Sequence, residues 1–221
     1  MEAQDIGTLI KNLNPVNGCP IGCDYCYARR INNRFKITPD FSMPVFMETR
    51  LKRIAVKSPH TYLMTSMSDF SCWKPGWREK VFQIMGENPQ HVYLFLTKRP
   101  QLINFETMME QVWIGVTVTN QADKDRILCM RKHIKAPNYF ITFEPLFEDM
   151  GPVDLNGIGW VVIGTETGNR KGKITSDKTW ILNIAEQAKR KGIPVFMKSS
   201  LLNIVGSENL KQELPASFCK H

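Results

Sequence analysis

HVYLFLTKRPQLINFETMMEQVWIGVTVTN, residues 91–120, sets two apolar runs around a mixed segment. HVYLFLT (91–97) and VWIGVTV (112–118) each have the length of a strand, favour β-branched and aromatic residues, and are apolar on both faces. A strand wet on one side alternates apolar with polar residues. One covered on both sides does not, and that is the situation of a parallel sheet under helices. Residues 100–109 between the runs read as an amphipathic helix, so the unit is β-α-β.

The same alternation extends in both directions. Further strand-like runs are HTYLMT (60–65), NYFITFE (138–144), GWVVIGT (159–165) and IPVFMKS (193–199), with TLIKNLN (8–14) as a weaker first strand. Helical patterns fall at 43–57, 77–87, 121–134 and 177–191. Thr175 or Ser176 would cap the last, Asp177 would sit in its first turn, and Gly192 would end it. The Gly- and Pro-bearing connection EPLFEDMGPVDLNGIG (144–159) should lack a full helix. Six or seven such units exceed a small doubly wound domain and fall short of an eightfold barrel. The expected fold is therefore α/β, an incomplete (β/α)6-type parallel barrel in one domain over residues 1–221. Its active site should lie at the C-terminal ends of the strands.

Composition bounds the function. With 43% hydrophobic and 23% charged residues, the chain has the makeup of an ordinary globular protein. No apolar run reaches a membrane span, and MEAQDIGTLIKNLN, with Glu2 and Asp5, lacks the apolar core of a signal peptide. The expectation is a cytoplasmic protein with no membrane partner, its thiols reduced. A net charge of +8 suits a nucleic-acid partner, but the basic residues form no long block and solvated helix faces account for most of them.

Before the first strong strand stands NPVNGCPIGCDYCYARR (14–30), with Cys19, Cys23 and Cys26 spaced C-x3-C-x2-C and no fourth cysteine nearby in sequence. Three thiolates can hold a [4Fe-4S] cluster while leaving one iron open to an external chelate. Zinc would need a fourth ligand from afar, and His60, His91, His133 and His221 show no metal spacing to the loop. Gly18 and Gly22 would let the backbone turn tightly around a bulky group. Cys72, Cys129 and Cys219 read as lone cysteines, buried small hydrophobes or a free terminal thiol.

The three-cysteine motif with Tyr25 before its last cysteine resembles that of the radical S-adenosylmethionine superfamily. NPVNGC (14–19), CDYCYARR (23–30), SMSDF (66–70), FLTKRP (95–100), VWIGVTVTN (112–120), FEPL (143–146), GWVVIGTETGNR (159–170) and GIPVFMKS (192–199) are similar to a short phage-type branch of it. The resemblance implies a [4Fe-4S] cluster on Cys19, Cys23 and Cys26, with S-adenosylmethionine as cofactor and an external one-electron reductant such as flavodoxin or ferredoxin. It places Tyr25 beside the adenine, Ser66 and Ser68 at the methionine amino group, Lys98 at its carboxylate, and Thr117 and Thr119 at the ribose. Asn14, Asp69, Arg99, Glu144, Glu166 and Lys198 are left for the substrate.

In length and in lacking an added domain, the chain is similar to the compact queuine lyase, which cuts the cyclopentenediol arm from queuine to give the aminomethyl-deazaguanine precursor. A deazaguanine presents an N–H/NH2 edge that a carboxylate accepts bidentately, a role for Glu144 or Glu166, while Asp69 would hold the diol or the secondary amine. The alternative is a radical enzyme repairing or modifying bases in DNA or RNA. The charge favours that reading. The absence of an added domain and of aromatic–basic interleaving in the sequence speaks against it.

Overall fold

A computed structural model describes residues 3–218; Cys219 and His221 lie outside the described residues. Seven strands make one sheet: β1 (Lys11–Asn12), β2 (Thr61–Leu63), β3 (Val92–Thr97), β4 (Val112–Thr117), β5 (Asn138–Phe143), β6 (Trp160–Ile163) and β7 (Val195–Met197). Every neighbouring pair is parallel, and the strands stand side by side in chain order. A doubly wound sheet reverses its order at a switch point. Here the order never reverses, and the sheet curls into an open half-barrel with β1 and β7 at its edges. The β7 edge is not left bare. Residues 211–213 bond along it, and Gln212 exchanges two hydrogen bonds of 2.8 Å with the backbone of Gln4 beside it.

The helices are α1 (Ile6–Leu9), α2 (Tyr27–Phe35), α3 (Pro75–Gly86), α4 (Asp125–His133), α5 (Lys178–Arg190) and α6 (Leu202–Val205). Several expected elements take another form. TLIKNLN is mostly not strand: Asp5 caps the short α1 by accepting from the Gly7 N–H, and only Lys11–Asn12 pair with β2. Within 43–57, Val45–Phe46 pairs antiparallel with Val16–Asn17, and Glu48–Ala55 winds as a 3-10 helix. Its buried residues Leu51 and Ile54 are three apart, the repeat of that tighter helix.

The helix expected over 100–109 reduces to a turn at Pro100–Leu102, after which Phe105–Glu106 runs beside Ile134–Lys135. The extended path lets Phe105 enter an aromatic cluster, its ring 5.4 Å from Phe70 and 4.8 Å from Phe82. The pattern at 121–134 opens as a 3-10 turn and becomes helix only at Asp125. α5 is capped by Asp177, not by Thr175 or Ser176: its carboxylate accepts from the Thr179 N–H at 2.7 Å, while the buried Ser176 hydroxyl donates to the Leu146 carbonyl. Gly192 ends that helix with φ +66°, and no helix forms over 144–159.

Alternation along the strands divides the core. Tyr93, Phe95, Ile114, Val116, Ile141 and Phe143 face outward and pack with Ile127 and Met130 of α4 and Ile181 and Ile184 of α5. Trp113, Phe140, Trp160 and Phe196 face inward and, with Phe218, plug the lower half of the barrel. Gly115 makes room in this plug, because a Cβ there would stand 2.6 Å from the Phe140 ring. Two residues farther along each strand the lining turns polar: Thr117 follows Gly115, and Thr142 follows Phe140. Their hydroxyls meet at 3.2 Å, on the floor of the site.

Candidate functional site

The C-terminal strand ends and the loop over 14–30 enclose a cleft of about 390 Å³. Cys19, Cys23, Cys26 and Tyr25 line it from the loop. Ser66, Ser68, Asp69, Lys98, Thr117, Glu144, Glu166 and Lys198 line it from the sheet. Asn14, Arg99 and Thr119 stand outside the lining.

The loop is pinned to the sheet by its backbone. Asn14, at φ +54°, accepts on its side-chain oxygen from Ser66 Oγ (2.9 Å) and the Met67 N–H (3.1 Å), so it fixes the loop rather than facing the cleft. Gly18 has φ +113°, and a Cβ on it would lie 2.9 Å from the Met43 carbonyl and 3.1 Å from that of Phe41. Only glycine fits there. The N–H groups of Gly18 and Cys19 donate to Met67 and Phe41 at 2.9 and 2.6 Å. Cys26 is the N-cap of α2, its sulfur accepting from the Arg29 N–H at 3.4 Å.

Among the described residues, no three His, Cys, Asp or Glu side chains converge where one metal ion would sit. Tetrahedral zinc requires such convergence. A four-iron cube takes each thiolate on a different iron, and three thiols spread around one cleft fit that donor set.

Cys72 departs from the expectation of an isolated cysteine. It ends the 3-10 turn Phe70–Cys72, is only half-buried, and lies beside the Cys19 thiol. Cys72 and then burial push the Cys19 thiol far above its ordinary range, while the contact with Cys19 draws Cys72 below its own against the effect of burial. Cys129 is likewise half-buried.

Tyr25 is held edge-on against Phe147, ring centres 5.2 Å apart, with the Lys98 ammonium 5.8 Å from its ring centre. Burial and the nearby Cys23 push its phenol well up, so it stays neutral. Thr119 is turned to Asp123, to which its N–H and hydroxyl donate at 3.0 and 2.7 Å. Ser68 accepts from the Trp73 indole at 3.0 Å. Arg99 donates its N–H to Thr97, and its guanidinium charge acts on Cys72, outside the cleft lining.

The three expected substrate carboxylates have unequal freedom. Asp69 is buried and accepts four hydrogen bonds: from the Ser71 N–H and hydroxyl, the Thr97 hydroxyl and the Lys98 N–H, at 2.7–2.9 Å. Its acceptor capacity is spent on joining the ends of β2 and β3. Glu166 is clamped bidentately by Arg170 at 2.6 and 2.7 Å, and the pairing holds it below the usual carboxylate range. Glu144 has a single side-chain partner, Lys198, and both line the cleft half-buried. Gly164 leaves space for this pair, because a Cβ there would press on Glu144 at 3.0 Å and on Lys198 at 3.1 Å.

Several lining residues escaped the sequence reading. Thr65 and Thr142 face the cleft, and strand alternation would have found Thr142, two residues before Glu144. Tyr27 and Arg30 reach it from α2. Aromatic–basic interleaving, which the sequence seemed to lack, is present in that helix, YARRINNRF. Apolar residues at helical spacing pass for a buried face, but Tyr27, Ile31 and Phe35 are 49%, 37% and 64% exposed.

A family model described as a protein of unknown function (DUF5131) matches residues 5–202. No curated protein and no solved structure matches the chain. No helix among the described residues is long and apolar enough to cross a membrane.

Proposed function

We propose that this chain, which belongs to the DUF5131 family, is a radical S-adenosylmethionine enzyme on an incomplete (β/α)6-type barrel, acting on a deazaguanine base with queuine lyase chemistry. The observation that carries the reading is the gathering of Cys19, Cys23 and Cys26 in one cleft with the polar strand ends. Those three thiolates would hold the [4Fe-4S] cluster. When bound and reduced by a flavodoxin- or ferredoxin-type donor, the cluster with S-adenosylmethionine supplies a 5′-deoxyadenosyl radical for hydrogen abstraction.

The chain's own residues supply binding and exclusion. Tyr25, held edge-on by Phe147, offers a flat apolar surface to an adenine. Lys98 beside it carries the charge that a carboxylate needs, and Ser66 and Ser68 bring hydroxyls to the amino-group side. Thr117 on the floor suits a ribose hydroxyl. Glu144 accepts the N–H/NH2 edge of the base, and Lys198 holds its charge in place. Beneath them the plug of Trp113, Phe140 and Trp160 excludes water from below.

The test is product analysis after anaerobic loading with iron and sulfide. The shortened deazaguanine should appear only when reductant, S-adenosylmethionine and queuine are all present. Deoxyadenosine formed over unchanged queuine would discard the substrate and keep the chemistry.

A further inference from the structure

Helix α2 wears its apolar residues outward. Its buried positions are Ala28 and Asn32. Asn32 is a polar hub: its oxygen accepts from Asn17 Nδ2 and from the Thr38 N–H and hydroxyl at 2.9–3.0 Å, and its amide donates back to the Thr38 carbonyl at 3.0 Å. On the exposed side Tyr27, Ile31 and Phe35 stand four residues apart, in one row of about 12 Å. A surface helix ordinarily turns such a row inward.

The row is set among cations. Arg30 and Arg34 interleave with it, Arg34 lying 5.1 Å from the Phe35 ring centre, and α2 contains no acidic residue. One end opens on the cleft, where Tyr27 and Arg30 are part of the lining and the Tyr27 hydroxyl donates to the Ser66 carbonyl at 2.9 Å. Arg30 also lies against the loop that follows β6, its guanidinium 2.9 Å from where a Gly168 Cβ would be. That loop exposes Lys171 and Lys173.

We infer that this face binds a single strand of nucleic acid beside the cleft. Strand binding does not rest on the chemistry proposed for the cleft. Guanidinium and ammonium groups complement phosphates, and exposed rings stack on unpaired bases of any sequence. An anionic bilayer would meet the same charge. The Tyr27 and Phe35 rings stand among guanidinium groups, the pairing of stacking surface and charge that a single strand uses.

The probes are fluorescently labelled single-stranded RNA and DNA of mixed sequence, titrated by anisotropy against the full chain at several salt concentrations. Binding should weaken with salt, and the polymer bound more tightly identifies the partner. Phe35→Ala should weaken binding about tenfold, the loss of one stacked base. Arg34→Gln should reduce the salt slope by about 0.7, the loss of one phosphate contact on a single strand. Neither variant should change deoxyadenosine formation in the absence of nucleic acid, which also shows that they fold. The inference is overturned if neither polymer binds, if both variants bind as the wild type does, or if phosphatidylserine vesicles bind and strands do not. Strand binding by a protein that never cleaves S-adenosylmethionine would keep this face and discard the radical chemistry.

Discussion

At Cys19, Cys23 and Cys26 the account makes its sharpest single-residue claim. Replacing any one with Ala should abolish cluster loading, read as iron and sulfide content after anaerobic reconstitution. Cys72→Ser should load fully, although Cys72 touches Cys19, because three thiolates suffice. Glu144→Gln should spare iron content and raise KM for the base by about tenfold, the loss of one charge-assisted hydrogen bond. An unchanged KM would remove Glu144 from substrate recognition. Glu166 is paired with Arg170, and its pH dependence follows from its depressed folded value. The Arg170 link contributes fully above the ordinary carboxylate range near about pH 4.3 and is lost as pH falls through the lower folded value. The thermal midpoint gap between wild type and Glu166→Gln should therefore be present at neutral pH and close below about pH 4. The addresses of these residues were legible because polar side chains after apolar runs mark strand ends. Their partners were not: Glu144 meets Lys198 across 54 positions of sequence, and Asp69 meets Thr97 across 28.

Among the elements, β2 to β7 were legible because burial on both faces writes itself as an unbroken apolar run. Their connections were harder. A period near three in Leu51 and Ile54 resembles a helix of either kind, and Phe105 left a helical pattern because an aromatic cluster rewarded the extended path. Tertiary packing decided both. Gly115 tests the plug directly: Gly115→Ala drives a methyl into the Phe140 ring and should cost about 1–3 kcal/mol in chemical denaturation. Little change would mean that Phe140 yields easily. Under α2, Asn32→Ala would strip partners from Asn17 and Thr38 and should cost about 1–3 kcal/mol. It should also loosen the cysteine loop that α2 terminates, seen as faster amide exchange at residues 17–26.

For the whole molecule, the unreversed strand order is what brings chemistry together. A sheet that curls one way turns all its C-terminal ends toward one mouth, and the loop over 14–30 closes that mouth with three thiols. The positive charge, uninformative as a total of +8, acquires a place once α2 and the loop after β6 are seen to adjoin. The most direct measurement is the formation of 5′-deoxyadenosine by the anaerobically iron-loaded, dithionite-reduced chain supplied with S-adenosylmethionine. The account predicts deoxyadenosine from the wild type and none from Cys26→Ala. A wild-type protein carrying four irons and four sulfides that forms none would contradict it.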